Sequence, residues 1–85
     1  MTTATMSRDQ LRQACLDVLA TIAPEKDYTA LDPTVNVRET LDIDSFDFLN
    51  VLIELNGVTG VEIPEADYGQ LVSLNDIVDY LSARL

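Results

Sequence analysis

Apolar residues recur along the first part of the chain at the spacing of one helical face. Leu11, Ala14, Cys15, Val18, Leu19 and Ile22 follow an i, i+3, i+4, i+7 pattern, with polar residues between them. Ser7-Arg8-Asp9-Gln10 stands just ahead in the form of a capping box, Ser7 at the N-cap and Gln10 at N3. Met6 and Leu11 are placed to staple across it, and Pro24 closes the helix. From 25 to 44 no period holds, and Leu31, Val35, Val37 and Leu41 are single apolar anchors in a long connection around Pro33. A second helix is predicted over 45–58. Its polar positions Asp47, Asn50, Glu54 and Gly57 form one narrow stripe, with Phe48, Leu52 and Leu55 opposite. Phe46, Leu49 and Ile53 make one apolar flank, and Val51 and Val58 the other. Gly57 and Gly60 end the helix. Pro64, Glu65 and Asp67 suit the start of a short third helix over 65–70. The last helix opens at Ser73 as N-cap, with Asp76 at N3 and Val72 set to staple to Ile77. Leu74, Ile77, Val78, Leu81 and Leu85 form its apolar face, and Arg84 suits its C-terminal dipole. The pattern describes an all-α chain, a four-helix bundle with a long first loop and a short third helix.

The second helix is apolar on too many sides for one core. In a bundle this small, full enclosure is hard, so the Phe46, Leu49, Ile53 flank is either core or a partly exposed edge that binds something. The periodicity leaves both readings open.

At 85 residues the chain is one domain spanning 1–85, with 1–6 expected to be frayed. Its 15 acidic against 5 basic residues give a net charge of −10. Such a surface repels nucleic-acid backbones and anionic membranes, and is drawn instead to basic patches on other proteins. Neither a signal peptide nor a spanning helix is read from the apolar runs, so no membrane insertion is expected. Cys15 is the single cysteine, which rules out an internal disulfide and fits a cytoplasmic location. It lies mid-face on the first helix, as a small buried apolar side chain would. The absence of histidine removes Ser-His and Cys-His nucleophile pairs and histidine metal ligands.

The loop meets the second helix at Leu41-Asp42-Ile43-Asp44-Ser45-Phe46-Asp47. A serine here has an ordinary role as a helix cap, at a cost of about 0.5–2 kcal/mol if replaced by alanine. A helix start also offers free N–H groups and a positive dipole end to an anion. The acidic cluster is no EF-hand, because Phe46 and Ile53 stand at liganding positions and no glycine occupies the turn. No Gly-x-Ser-x-Gly surrounds Ser45, and Asp44 with Asp47 on a loop edge have no enclosed site for acid–base work.

Asp44-Ser45-Phe46 resembles the Asp-Ser-Leu motif of the acyl carrier protein family, with Phe where Leu is usual. Val61-Glu62-Ile63-Pro64-Glu65 is similar to that family's Glu-Ile-Pro-Asp/Glu segment at the family's spacing from the serine, and the helix order and long first loop also match. The resemblance implies that Ser45 carries a 4'-phosphopantetheine arm, loaded from coenzyme A by a phosphopantetheinyl transferase. The arm's thiol holds acyl intermediates as thioesters for partner enzymes of fatty-acid, polyketide or related biosynthesis, and the protein itself is not an enzyme. It further implies that Asp44, Phe46, Asp47, Leu49, Ile53 and Glu54 face acyl-transferring or ligating enzymes with basic docking patches. Glu39, Asp44 and Asp47 fall where family members can hold a divalent ion weakly. A monomer is expected. Asn50, Asn56 and Gly57 replace frequent family glutamates, Thr59 replaces a frequent Phe, and Phe48 stands where a smaller residue is common. These departures point to a specialised stand-alone member. An aminoacyl or peptidyl carrier, and a helical adaptor without a prosthetic group, are the alternatives.

Overall fold

The computed structural model of the protein describes residues 6–85. Four α-helices and one 3-10 helix follow one another: α1 (Arg8–Ile22), α2 (Val37–Leu41), α3 (Ser45–Thr59), the 3-10 helix Glu65–Gln70 and α4 (Leu74–Arg84). Of the fraying expected for 1–6, residues 1–5 lie outside the described residues. Met6 is half-buried and packs against the core.

The caps set the helix starts. Ser7 Oγ accepts from the Gln10 N–H at 3.1 Å while Gln10 Oε1 accepts from the Ser7 N–H at 2.8 Å, satisfying two orphan donors of α1. Ser73 and Asp76 repeat the arrangement at α4, at 3.1 and 3.0 Å. At the far end of α1, where carbonyls are left over, the Tyr28 hydroxyl lies 2.9 Å from the Leu19 carbonyl and 2.7 Å from that of Ala23. This contact folds the first loop back beneath the helix it leaves.

α1 packs against both α3 and α4. Leu11, Cys15 and Leu19 from α1, Val51, Leu52 and Leu55 from α3, and Ile77, Val78 and Leu81 from α4 are almost wholly buried between them. The free thiol of Cys15 lies inside this core, where desolvation pushes its pKa up to about 12 and keeps it an uncharged packing group. Tyr80 is buried as well, with its hydroxyl donating to Asp67 of the 3-10 helix and the Arg84 guanidinium over its ring. Leu85, expected on the α4 face, is exposed, and so is Val72, expected to staple to Ile77.

The long connection is not structureless. Asn36 caps α2 by accepting from the Glu39 N–H at 3.0 Å, and Val37 and Leu41, four apart, bury into the core. Asp42 ends α2 in the left-handed region at φ 53°, a conformation that aspartate tolerates better than most residues. The expectation of four helices is thus short by one, because five residues are too few to establish a period. Two backbone bonds pin the loop to the entry of α4: Val37 N–H to the Val72 carbonyl and Asn75 N–H to the Pro33 carbonyl, each 2.9 Å. They bring α2 alongside the 3-10 segment, next to the start of α3.

Candidate functional site

Asp44 and Ser45 divide the helix start between them. Asp44 is the N-cap of α3, its Oδ1 accepting from the Asp47 N–H at 2.8 Å. Ser45 is the first residue inside the helix, exposed, and its hydroxyl makes no hydrogen bond among the described residues. The reading of Ser45 as a cap is therefore corrected: the aspartate before it has taken that role. The hydroxyl is left facing solvent with no competing partner.

Two clefts flank this serine. One, of about 260 Å³, runs between α2, the start of α3 and the 3-10 segment, with Asn36, Arg38, Ser45, Phe48, Tyr68 and Leu71 in its wall. The other, of about 390 Å³, lies on the outer side between Ser45, Phe46, Leu49, Glu65 and Tyr68. Phe48 is buried and makes the inner end of the first cleft apolar. An attached group at Ser45 thus has a choice between a half-apolar recess toward the core and an open groove along the surface.

The flank that the periodicity left undecided is not core. Phe46 is 70% exposed and Ile53 56%, while Leu49 between them is half-buried. Asp44 and Glu54 are exposed and Asp47 half-buried, so acidic groups border this apolar edge. On the opposite flank Val51 is fully buried and Val58 exposed, because α1 covers only part of that side. Burial of one flank and exposure of the other depends on where neighbouring helices lie, which a helical wheel does not contain.

The divalent-ion expectation does not hold as stated. Among the described residues no three acidic side chains stand together in a group able to hold a metal ion, and this covers Glu39, Asp44 and Asp47. Glu39 belongs to the first turn of α2, while the Asp44 carboxylate is turned toward the Asp47 N–H. Nothing offsets the mutual repulsion that closing three carboxylates together requires.

The sequence reading missed Arg38, the only basic residue between Lys26 and Arg84. That isolation within an acidic run was the available signal. Its guanidinium lies in the wall of the cleft beside Ser45, 5.9 Å from the centre of the Phe48 ring, with Nε 3.5 Å from the Ile43 carbonyl.

Comparison with known proteins bears on this site directly. Residues 9–81 match the model of the phosphopantetheine attachment site family. An acyl carrier protein of Rubrobacter xylanophilus is 28% identical over 76 residues, covering 89% of this chain and 93% of that protein. The polyketide-8 synthase acyl carrier protein 2 of Streptomyces avermitilis is 29% identical over 84 residues, covering 99% and 91%. A chain in the crystal structure of the curacin biosynthetic pathway HMG synthase in complex with acetyl donor-ACP superposes with a TM-score of 0.77. It is 23% identical, with 92% of this chain and 99% of that one covered, a likeness of fold.

Proposed function

The chain belongs to the phosphopantetheine-binding acyl carrier protein family, and from that premise we propose that Ser45 is the residue that bears its 4'-phosphopantetheine. A member of this family carries and does not itself catalyse. When attached, the arm supplies a thiol that holds an acyl group as a thioester. The residues present fit such a group: Ser45 offers an exposed, unbonded hydroxyl at a helix start, and two clefts leave room on either side of it. In loading, Ser45 Oγ acts as the nucleophile. Its new bond to phosphorus replaces the pyrophosphate bond of coenzyme A, releasing adenosine 3',5'-bisphosphate and the hydroxyl proton.

The observation that carries this reading is the division of labour between Asp44 and Ser45. A serine engaged as a cap would have to give up its bond to be modified; this one gives up nothing. Asp44, Phe46, Asp47, Leu49, Ile53 and Glu54 form the docking edge, an apolar ridge bordered by carboxylates that suits an apolar recess with a basic rim. A phosphopantetheinyl transferase and successive acyl-transferring or ligating enzymes are the partners, in fatty-acid, polyketide or related biosynthesis. The protein acts as a cytoplasmic monomer. Among the described residues no helix is long and apolar enough to cross a membrane.

Incubation with coenzyme A, Mg²⁺ and a broad-specificity phosphopantetheinyl transferase, followed by intact-mass measurement, tests the assignment. The protein should gain the mass of one phosphopantetheine, and Ser45→Ala should gain none. A full gain by Ser45→Ala would place the arm elsewhere. No gain by either protein would favour an adaptor without a prosthetic group.

A further inference from the structure

In a chain of net charge −10, the cleft beside Ser45 holds a cation with no anionic partner. Of the five basic residues, Arg8, Arg12 and Arg84 form ion pairs with Asp79, Asp9 and Asp67. Arg38 forms none among the described residues, although Glu39, Asp42, Asp44 and Asp47 all lie within nine positions of it in sequence. Its side chain is nonetheless held in place. The backbone carbonyl of Arg38 accepts from the Ile43 N–H at 2.9 Å, while its Nε lies 3.5 Å from the Ile43 carbonyl. The guanidinium also lies 5.9 Å from the Phe48 ring centre, a contact that favours a cation over an aromatic face. These contacts leave the terminal NH₂ groups of the guanidinium unbonded among the described residues, in the wall that Ser45 shares.

Resting on the reading of Ser45 as the attachment residue, the geometry points to Arg38 as the residue that binds the phosphodiester joined to it. A phosphodiester at Ser45 adds a full negative charge to a helix start that already holds Asp44 and Asp47. Helix N–H groups favour that charge only in part, and the two carboxylates oppose it. A guanidinium matches an anionic phosphate through paired N–H donors, at the one place where the surface supplies positive charge. The pairing also has a mechanical result. Arg38 belongs to α2 and Ser45 to α3, so the loaded form ties the loop helix to the helix that carries the arm. Loading therefore stiffens the α2–α3 corner in addition to adding the arm.

Intact-mass spectrometry first confirms loading of the wild type, Arg38→Met and Arg38→Lys, and thermal melting then compares each unloaded protein with its own loaded form. Arg38→Met keeps the stem over Phe48 and removes the charge; Arg38→Lys keeps the charge. Taking the difference within each variant cancels any effect of the substitution on the unloaded fold. Loading should raise the wild-type Tm by about 2–6 °C at low salt, the size expected of one partly exposed charge pair. The gain should vanish in Arg38→Met, persist in reduced form in Arg38→Lys, and shrink at high NaCl. In the loaded wild type alone, the Arg38 Nε–H resonance should move between the two forms. An equal gain in Arg38→Met and wild type, or no gain in a fully loaded wild type, overturns the role of Arg38 and leaves the attachment at Ser45 standing. A wild type that takes up no mass sinks the attachment reading and this one with it.

Discussion

Replacing Ser45 by alanine removes a hydroxyl that makes no hydrogen bond in the folded chain, so it should barely alter stability. Its Tm should stay within the small range of ordinary surface changes, about 0.5 kcal/mol. Asp44→Ala is the disruptive neighbour. It removes the carboxylate that accepts from the Asp47 N–H at 2.8 Å and should cost about 0.5–2 kcal/mol. For a domain of this size each kcal/mol is about 4–8 °C in Tm. Parallel melts of the two variants check the division of roles. A loss at Ser45→Ala as large as at Asp44→Ala would return the cap to the serine.

At the scale of the element, α3 carries two different faces and each predicts a different experiment. Its outer edge of Phe46, Leu49 and Ile53 contributes little to the core, since the first and last are more than half exposed. Ile53→Arg should leave the far-ultraviolet circular dichroism unchanged while slowing loading by the transferase about tenfold. That factor follows from losing a buried apolar contact of about 1.5–3 kcal/mol and setting a cation against a basic rim. Loading at the normal rate by both Ile53→Arg and Asp47→Lys would move docking to another face. The inner face concerns cargo. Phe48 is buried beside the arm's attachment point and limits the inner cleft to about 260 Å³. A packed interior yields volume only at a cost, so short or polar acyl groups should be accommodated and long linear ones should add little stability. Thr59, where bulk is reduced, opens no obvious room, because its hydroxyl is spent on the Leu55 carbonyl and the Val61 N–H at the helix end. Loading arms of increasing acyl length and following Tm decides this. A rise that continues through long chains would show the bundle opening around them.

For the whole molecule, the net charge of −10 dominates the response to solution conditions. Carboxylates outnumber bases three to one, and self-repulsion in the compact state is relieved as the Debye length falls to about 10 Å at 0.1 M salt. Because no three acidic groups gather into a metal site among the described residues, the relief should be general screening. CaCl₂ and NaCl at equal ionic strength should therefore raise the Tm alike. A larger rise with Ca²⁺ would mean that a site forms around the ion as it binds.

What the sequence determined by itself is what depends on neighbours a few residues apart. Both capping boxes, at Ser7 and Ser73, were legible because their partners stand three positions on, and the core faces of α1, α3 and α4 followed from period alone. The serine joint was legible as a motif, though not in its detail. Asp44 and Ser45 are both good N-cap residues, and only the backbone path into α3 decides which one lies outside the helix. Tertiary structure alone decided the rest. Tyr28 finds the end of α1 nine residues back from its own position, and Tyr80 finds Asp67 across thirteen. The helix α2 is too short to form from local preference and depends on burying Val37 and Leu41. The free flank of α3 and the unpaired Arg38 beside Ser45 exist only because of which surfaces the other helices cover. Periodicity says which residues share a face; only packing says what that face meets.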